Sequence, residues 1–146
     1  MLHFRETEEL YGGIIVKKIM IVDDSLIVRV NLKKILQKQG YMVTEAANGQ
    51  EAIEKYVIFR PDLVTMDITM PVLDGISALQ QIRTIDGNAC IVMISALGQE
   101  IKIIEAMNQG ARHFIVKPFK ETDVINKIGS ILEDKAEEQV NAFASK

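Results

Sequence analysis

Polar side chains follow four strand-sized apolar runs of this 146-residue sequence, and the three carboxylates among them suit metal binding. The polar residues are Asp23, Asp24, Asp67, Ser95 and Lys117. Converging carboxylates repel one another, and a pair about 4 Å apart costs on the order of 4 kcal/mol at an effective dielectric constant of about 20. A divalent cation removes that cost, and Mg²⁺ suits oxygen ligands that also border phosphate. We therefore predict a magnesium site.

Within this predicted site, Asp24 and Asp67 are expected to be direct ligands, while Asp23 acts mainly through water. The backbone carbonyl of Thr69 completes the set, because Mg²⁺ commonly binds one or two carboxylates and keeps several waters. Zinc is less well suited, since the chain has one cysteine and two histidines and no spacing that suggests a zinc cluster.

The same residues fit a phosphoryl-transfer site, where a protein mainly supplies position and charge. Asp67 is expected to be the nucleophile and to form an acyl phosphate. The Lys117 ammonium would bind one phosphate oxygen, and the Ser95 hydroxyl would donate to another. Pro118 keeps Lys117 out of helical backbone angles and allows a cis peptide bond, which would orient the ammonium.

Five β-α units are predicted to bring these residues together. Apolar runs at 19–22, 42–46, 62–66, 91–94 and 113–116 alternate with segments of helical period at 28–36, 50–59, 76–85, 100–109 and 123–133. Most runs are continuously apolar, as in parallel strands covered on both faces, and the second suits a sheet edge. Ligands bind beyond the carboxyl ends of such strands, so we predict an α/β, doubly wound sheet with its site at that edge.

The composition disfavours nucleic-acid-binding, secreted and membrane proteins. The net charge of −3 comes from scattered acidic and basic residues, so an electrostatic footprint for nucleic acid is missing. Cys90 is the only cysteine, and the sequence suggests neither a signal peptide nor a membrane span. We expect a cytoplasmic protein that binds neither nucleic acid nor membrane.

The first fifteen residues lie outside the β-α pattern. Gly12-Gly13 can be encoded by a ribosome-binding sequence, and Val16 by a GTG start codon, so residues 1–15 are either untranslated in the native gene or a genuine disordered or helical extension. The predicted domain covers 16–132. Residues 133–146 either prolong the last helix or fray.

Several motifs resemble response-regulator receiver domains of two-component signalling. They are Val22-Asp23-Asp24-Ser25, Met66-Asp67-Ile68-Thr69-Met70-Pro71 with Asp74-Gly75, Ser95-Ala96, and Lys117-Pro118-Phe119. The strings around Ser95 and Lys117 are similar to the stand-alone receivers of bacterial chemotaxis.

This resemblance implies a flavodoxin-like five-stranded parallel sheet in the order 2-1-3-4-5, with Mg²⁺ at Asp23, Asp24 and Asp67. It also implies phosphorylation of Asp67 by a histidine kinase of the CheA type, with Ser95 and Phe114 switching together. The phosphorylated chain would bind the flagellar motor switch. A phosphatase of the chemotaxis system would end the signal by removing the phosphoryl group. Such a chain is a monomeric signalling protein rather than an enzyme, although it promotes its own phosphoryl transfer and autodephosphorylation.

Helical periodicity suggests where a partner binds. In the fourth helix, Ile103, Ala106 and Met107 share one side, whereas Ile101 projects almost opposite and Ile104 flanks it. We therefore predict a partner face that includes Ile101, Ile104 and Phe114. Isolated exposed isoleucines are also ordinary on any protein surface.

Three other functions share parts of this chemistry. A sporulation-type phosphorelay carrier would use the same site. A haloacid-dehalogenase-type phosphatase needs a second acid two residues after the nucleophile, where this chain has Thr69, and a cap domain that is missing. A flavodoxin-like FMN carrier needs a phosphate loop after the first strand, where Asp23-Asp24 would repel the FMN phosphate.

Overall fold

A computed structural model describes residues 9–144 as a parallel sheet with helices on both faces and a hairpin before it. The elements are β1 (Glu9–Tyr11), β2 (Ile14–Val16), β3 (Lys18–Val22), α1 (Leu26–Lys38), β4 (Met42–Ala46), α2 (Gly49–Phe59), β5 (Leu63–Asp67), α3 (Gly75–Ile85), β6 (Ile91–Ser95), α4 (Glu100–Asn108), β7 (His113–Val116) and α5 (Glu121–Ala144). The five predicted strands and five predicted helices are all present.

The parallel sheet has the strand order β4-β3-β5-β6-β7. Counted in chain order among these five strands, this is 2-1-3-4-5, so the predicted fold is confirmed. The least apolar strand, β4, lies at an edge as predicted. Between residues 9 and 144, no helix is long and apolar enough to cross a membrane.

The sheet is covered on both faces, which explains its continuously apolar strands. Every residue of β3, β5 and β6 is buried. Alternate residues of β3 enter two separate cores: Met20 and Val22 pack with residues of α2, α3 and α4, whereas Ile19 and Ile21 pack with residues of α1 and α5. This arrangement holds the carboxyl ends of the strands in fixed relative positions.

Polar side chains cap the N-termini of three helices that follow strands of the parallel sheet. Ser25 accepts a hydrogen bond from Val28 N at 3.3 Å, and Asn48 accepts one from Glu51 N at 2.9 Å. Asp74 accepts one from Ser77 N at 2.8 Å. Each side chain satisfies a backbone donor that the first helical turn leaves free, which stabilises the start of its helix.

Both ends of the described chain extend beyond the parallel sheet. β1 and β2 form an antiparallel hairpin whose turn, Gly12-Gly13, has φ values of 60° and 83° that suit glycine. Residues 9–15 thus form a hairpin rather than a helix, and residues 1–8 of the predicted extension lie outside the described residues. The start at Val16 stays a prediction. α5 continues without a break to Ala144, and Glu138 pairs with Arg112 at 2.6 Å.

Candidate functional site

Three carboxylates converge at the carboxyl edge of the sheet. Asp23 and Asp24 follow β3, and Asp67 is the last residue of the neighbouring strand β5. Each offers a carboxylate oxygen, and these oxygens lie within 4.8 Å of one another. Asp23 and Asp67 are buried, with 1% and 8% of their surface exposed, whereas Asp24 is exposed. The structure therefore brings together the three acidic residues singled out in the sequence.

Lys117 supplies positive charge next to these acids. It follows β7, and its Nζ lies 2.9 Å from Oδ2 of Asp23 and 3.7 Å from Oδ1 of Asp67. Its backbone N–H donates to the carbonyl of Ser95 at 2.7 Å, and the Lys117-Pro118 peptide bond is cis, as the sequence allowed. One ammonium beside three carboxylates leaves the cluster with excess negative charge, which favours a bound cation.

The environment of Asp67 favours its protonated form when no cation is bound. Burial raises the pKa of Asp67, the negative charge of Asp23 raises it further, and the Lys117 ammonium opposes both, so the pKa is about 7 against an ordinary value of 3.8. A divalent cation would favour the ionised carboxylate, which is the form that can act as a nucleophile.

Stability of the metal-free protein should depend on this proton. The folded state binds it more readily than the unfolded state between about pH 4 and pH 7, so Asp67 destabilises the fold increasingly as pH rises through that window. In EDTA, we expect the Tm of the wild-type chain to fall more between pH 5 and pH 8 than the Tm of Asp67→Asn. Thermal melts across that range measure the difference, and parallel curves would contradict it.

Ser95 carries an available hydroxyl at the end of β6. The residue is fully buried, and its Oγ has no hydrogen-bond partner among residues 9–144. Burying a hydroxyl without a partner costs free energy, so binding of a ligand that accepts a hydrogen bond from it would be favoured. Thr69, in the loop after β5, is exposed, and its hydroxyl accepts a hydrogen bond from Gln99.

Three further residues shape the site, although no role in it was predicted for any of them from the sequence. Arg29 Nη1 donates to the carbonyl of Asp23 at 2.6 Å, and Gln99 Nε2 donates to Thr69 Oγ1 at 2.9 Å. At Gly75, whose N–H donates to the carbonyl of Ile68, a Cβ would collide with the backbone of Asp67. The motif Asp74-Gly75 was a signal for the last of these, whereas no pattern in the sequence links Gln99 to Thr69.

The predicted partner face is exposed and borders an apolar groove. Ile101 is 82% exposed and Ile104 61% exposed. Phe114 is half-buried and lines a groove of about 460 Å³ together with Ile104 and Met107. Met107 shares a helix side with Ala106, as predicted, but is 39% exposed. The small Ala106 is the only fully buried residue of α4, so this helix contacts the core over a narrow strip.

The chain is similar in sequence to receiver domains of response regulators. The sequence profile of the response regulator receiver domain family matches residues 19–129. The chain is 49% identical over 116 residues to chemotaxis protein CheY of Thermotoga maritima, covering 79% of this chain and 97% of that protein. It is 51% identical to CheY of Bacillus subtilis, with the same coverage.

Solved structures show the same similarity. A CheX-CheY-BeF3-Mg²⁺ complex from Borrelia burgdorferi matches with a TM-score of 0.76 and 40% identity, covering 82% of this chain and 90% of that chain. A CheY-like receiver domain protein from Methanospirillum hungatei matches with a TM-score of 0.81 and 28% identity, covering 84% of this chain and 98% of that chain.

Proposed function

This chain belongs to the family of response regulator receiver domains, and we propose that it is a chemotaxis switch phosphorylated on Asp67 by a histidine kinase. The observation that carries the proposal is the convergence of Asp23, Asp24 and Asp67 around the Lys117 ammonium. The high identity to CheY proteins of two bacteria supports chemotaxis as the pathway. In this proposal the chain acts in the cytoplasm.

Mg²⁺ fits the donor set of the site. The three carboxylates offer hard oxygen ligands within 4.8 Å of one another, and Asp24 is open to solvent, which suits an ion that keeps several waters. Asp24 and Asp67 would hold it directly, Asp23 through water, and Thr69 through its carbonyl. The bound ion would neutralise charge on the transferring phosphoryl group. The relative from Borrelia burgdorferi, described in complex with BeF3 and Mg²⁺, supports this assignment.

The phosphoryl step follows from the positions of the side chains. An ionised Asp67 oxygen attacks phosphorus of the phosphohistidine, the phosphorus–nitrogen bond breaks, and the kinase imidazole leaves with the electron pair. The Lys117 ammonium, 3.7 Å from Asp67, binds a phosphoryl oxygen, and the Ser95 hydroxyl, which has no partner among residues 9–144, donates to another. Charge-assisted hydrogen bonds of this kind are roughly twice as strong as neutral ones.

Output would pass to the face formed by α4, β7 and α5. The Ser95 hydroxyl moves toward the phosphoryl group, and the Phe114 ring, which lines the adjacent groove, changes its burial in response. Phe114 has no hydroxyl, so this change is one of side-chain rotamer and packing. The altered face binds the flagellar motor switch, and a chemotaxis phosphatase resets it; the CheX-CheY complex of Borrelia burgdorferi supports a phosphatase partner.

Incubation with acetyl phosphate and Mg²⁺, followed by intact-mass measurement, tests the proposed function. A gain of one phosphoryl group supports a receiver switch, whereas steady hydrolysis of organic phosphates would support a phosphatase and a bound yellow chromophore an FMN carrier. Phosphotransfer from purified candidate kinases, followed by capture of partners with the phosphorylated form, separates the chemotaxis switch from a phosphorelay carrier that passes the group on.

Substitution of Ile101 by Lys tests the partner face. Because Ile101 is 82% exposed and is not part of the acidic cluster, Ile101→Lys should weaken binding of the phosphorylated chain to the motor-switch protein about tenfold while phosphorylation continues. Ile58→Lys on α2 is a matched control, since Ile58 is 85% exposed outside the proposed face. Calorimetry measures both affinities, and equal affinities of the two variants would reject the face.

A further inference from the structure

Gln99 connects the two loops that border Asp67. It occupies the N-cap position of α4, yet its side chain makes no capping hydrogen bond to that helix. Instead, its Nε2 donates to Thr69 Oγ1 at 2.9 Å, and its Oε1 accepts from Ala96 N at 2.7 Å. Thr69 lies two residues after Asp67, and Ala96 directly follows Ser95. A single carboxamide therefore holds together the segments that flank the proposed phosphoacceptor.

Phosphorylation would introduce a competitor for one of these hydrogen bonds. A phosphoryl group brings three strongly accepting oxygens and nearly two negative charges. The Ser95 hydroxyl has no hydrogen-bond partner in the described part of the chain and can donate to it, whereas the next donor along the chain, the Ala96 N–H, is occupied by Gln99. A charged acceptor makes the stronger hydrogen bond, so it displaces a neutral carboxamide oxygen when the loop can turn toward it.

We propose that Gln99 is a positioning residue that holds the loop between β6 and α4 in its unphosphorylated arrangement and releases the Ala96 N–H when Asp67 is phosphorylated. This inference rests on the proposed function, because phosphorylation of Asp67 supplies the competing acceptor. Gln99 directly precedes Glu100, the first residue of α4. Its release therefore loosens the start of the helix that carries Ile101 and links the chemistry to the partner face.

Gln99→Ala in the full chain tests this role. The variant lacks the hydrogen bond to the Ala96 N–H that the phosphoryl group must displace, so phosphorylation by acetyl phosphate and Mg²⁺ should be about fivefold faster than in the wild type. The control is Gln109→Ala at the other end of α4: Gln109 is exposed, and its side chain makes no hydrogen bond within the described part of the chain. We expect the wild-type rate for the control and a Tm close to wild type for both variants.

Amide exchange of Ala96 separates the proposed role from a general effect on the fold. In the unphosphorylated wild type, the Ala96 N–H should be protected by Gln99, and Gln99→Ala should lose this protection at Ala96 while the strands keep theirs. Gln99→Glu should restore it, because a carboxylate accepts from the Ala96 N–H and from the Thr69 hydroxyl. Amide exchange rates measured by NMR for the wild type, Gln99→Ala and Gln99→Glu test this expectation.

The outcomes distinguish this inference from the proposed function. If the wild type gains a phosphoryl group and Gln99→Ala gains it at the same rate, or leaves Ala96 equally protected, Gln99 does not hold the loop. If the wild type gains no phosphoryl group from acetyl phosphate or any candidate kinase, the proposed function fails together with the inference. Faster phosphorylation of Gln99→Ala, with loss of protection confined to the loop, supports both.

Discussion

Asp67→Asn is expected to lower phosphorylation of this chain, from acetyl phosphate or from a kinase, below detection. The neutral carboxamide keeps the size of the side chain and its place between Asp23 and Lys117, but it lacks the ionised oxygen that attacks phosphorus. Intact-mass spectrometry after incubation with acetyl phosphate and Mg²⁺ measures the result directly. Asp67→Asn should also melt at a higher temperature than the wild type in EDTA at neutral pH, because one buried carboxylate is removed.

Asp74→Asn is the matched control for this loss. Asp74 lies in the same loop after β5, and its exposed side chain accepts from Ser77 N at 2.8 Å as the N-cap of α3. Asparagine caps helices about as well as aspartate, so this variant should fold and accept a phosphoryl group like the wild type. Incorporation of a full phosphoryl group by Asp67→Asn would show that another side chain is the acceptor.

Mg²⁺ should stabilise the folded chain and be required for its phosphorylation. An ion that binds the folded state alone adds about 2.7 kcal/mol when its concentration is 100 times its Kd, which corresponds to a Tm rise of several degrees for a domain of this size. Asp24→Asn and Asp67→Ala should raise the Tm of the metal-free form, since each relieves repulsion among carboxylates within 4.8 Å. Both should lose most of the Mg²⁺-dependent rise.

Asp123→Asn controls for the general effect of removing one negative charge. Asp123 is exposed in the first turn of α5, outside the acidic cluster. Its variant should keep the full Mg²⁺-dependent rise, as measured by thermal melts at fixed pH in EDTA and in excess Mg²⁺. Lower melting of metal-free Asp24→Asn and Asp67→Ala than of the wild type would mean that the three carboxylates do not repel one another as their positions require.

The sheet and the position of the acidic residues could be predicted because both depend on burial. Strands covered on two faces need continuously apolar residues, and helices packed on one face need apolar residues at helical spacing, so the pattern of the sequence determined five β-α units. Asp23, Asp67 and Lys117 stand where three of those runs end, and a parallel sheet places such ends at one edge. Sequence position was therefore enough to anticipate a shared acidic site.

Contacts between loops were decided by the tertiary structure. Gln99 reaches Thr69 across thirty residues because the packing of α3 and α4 on the same core places their preceding loops side by side, and no local pattern encodes that distance. The contact of Arg29 with the carbonyl of Asp23 is by contrast local, because Arg29 lies six residues further along, in the first turn of α1. The exposure of Met107 depends on how far α4 approaches the sheet over Ala106. Periodicity indicates which side of a helix faces the core, whereas the depth of burial and the partners of a residue depend on how separate elements pack.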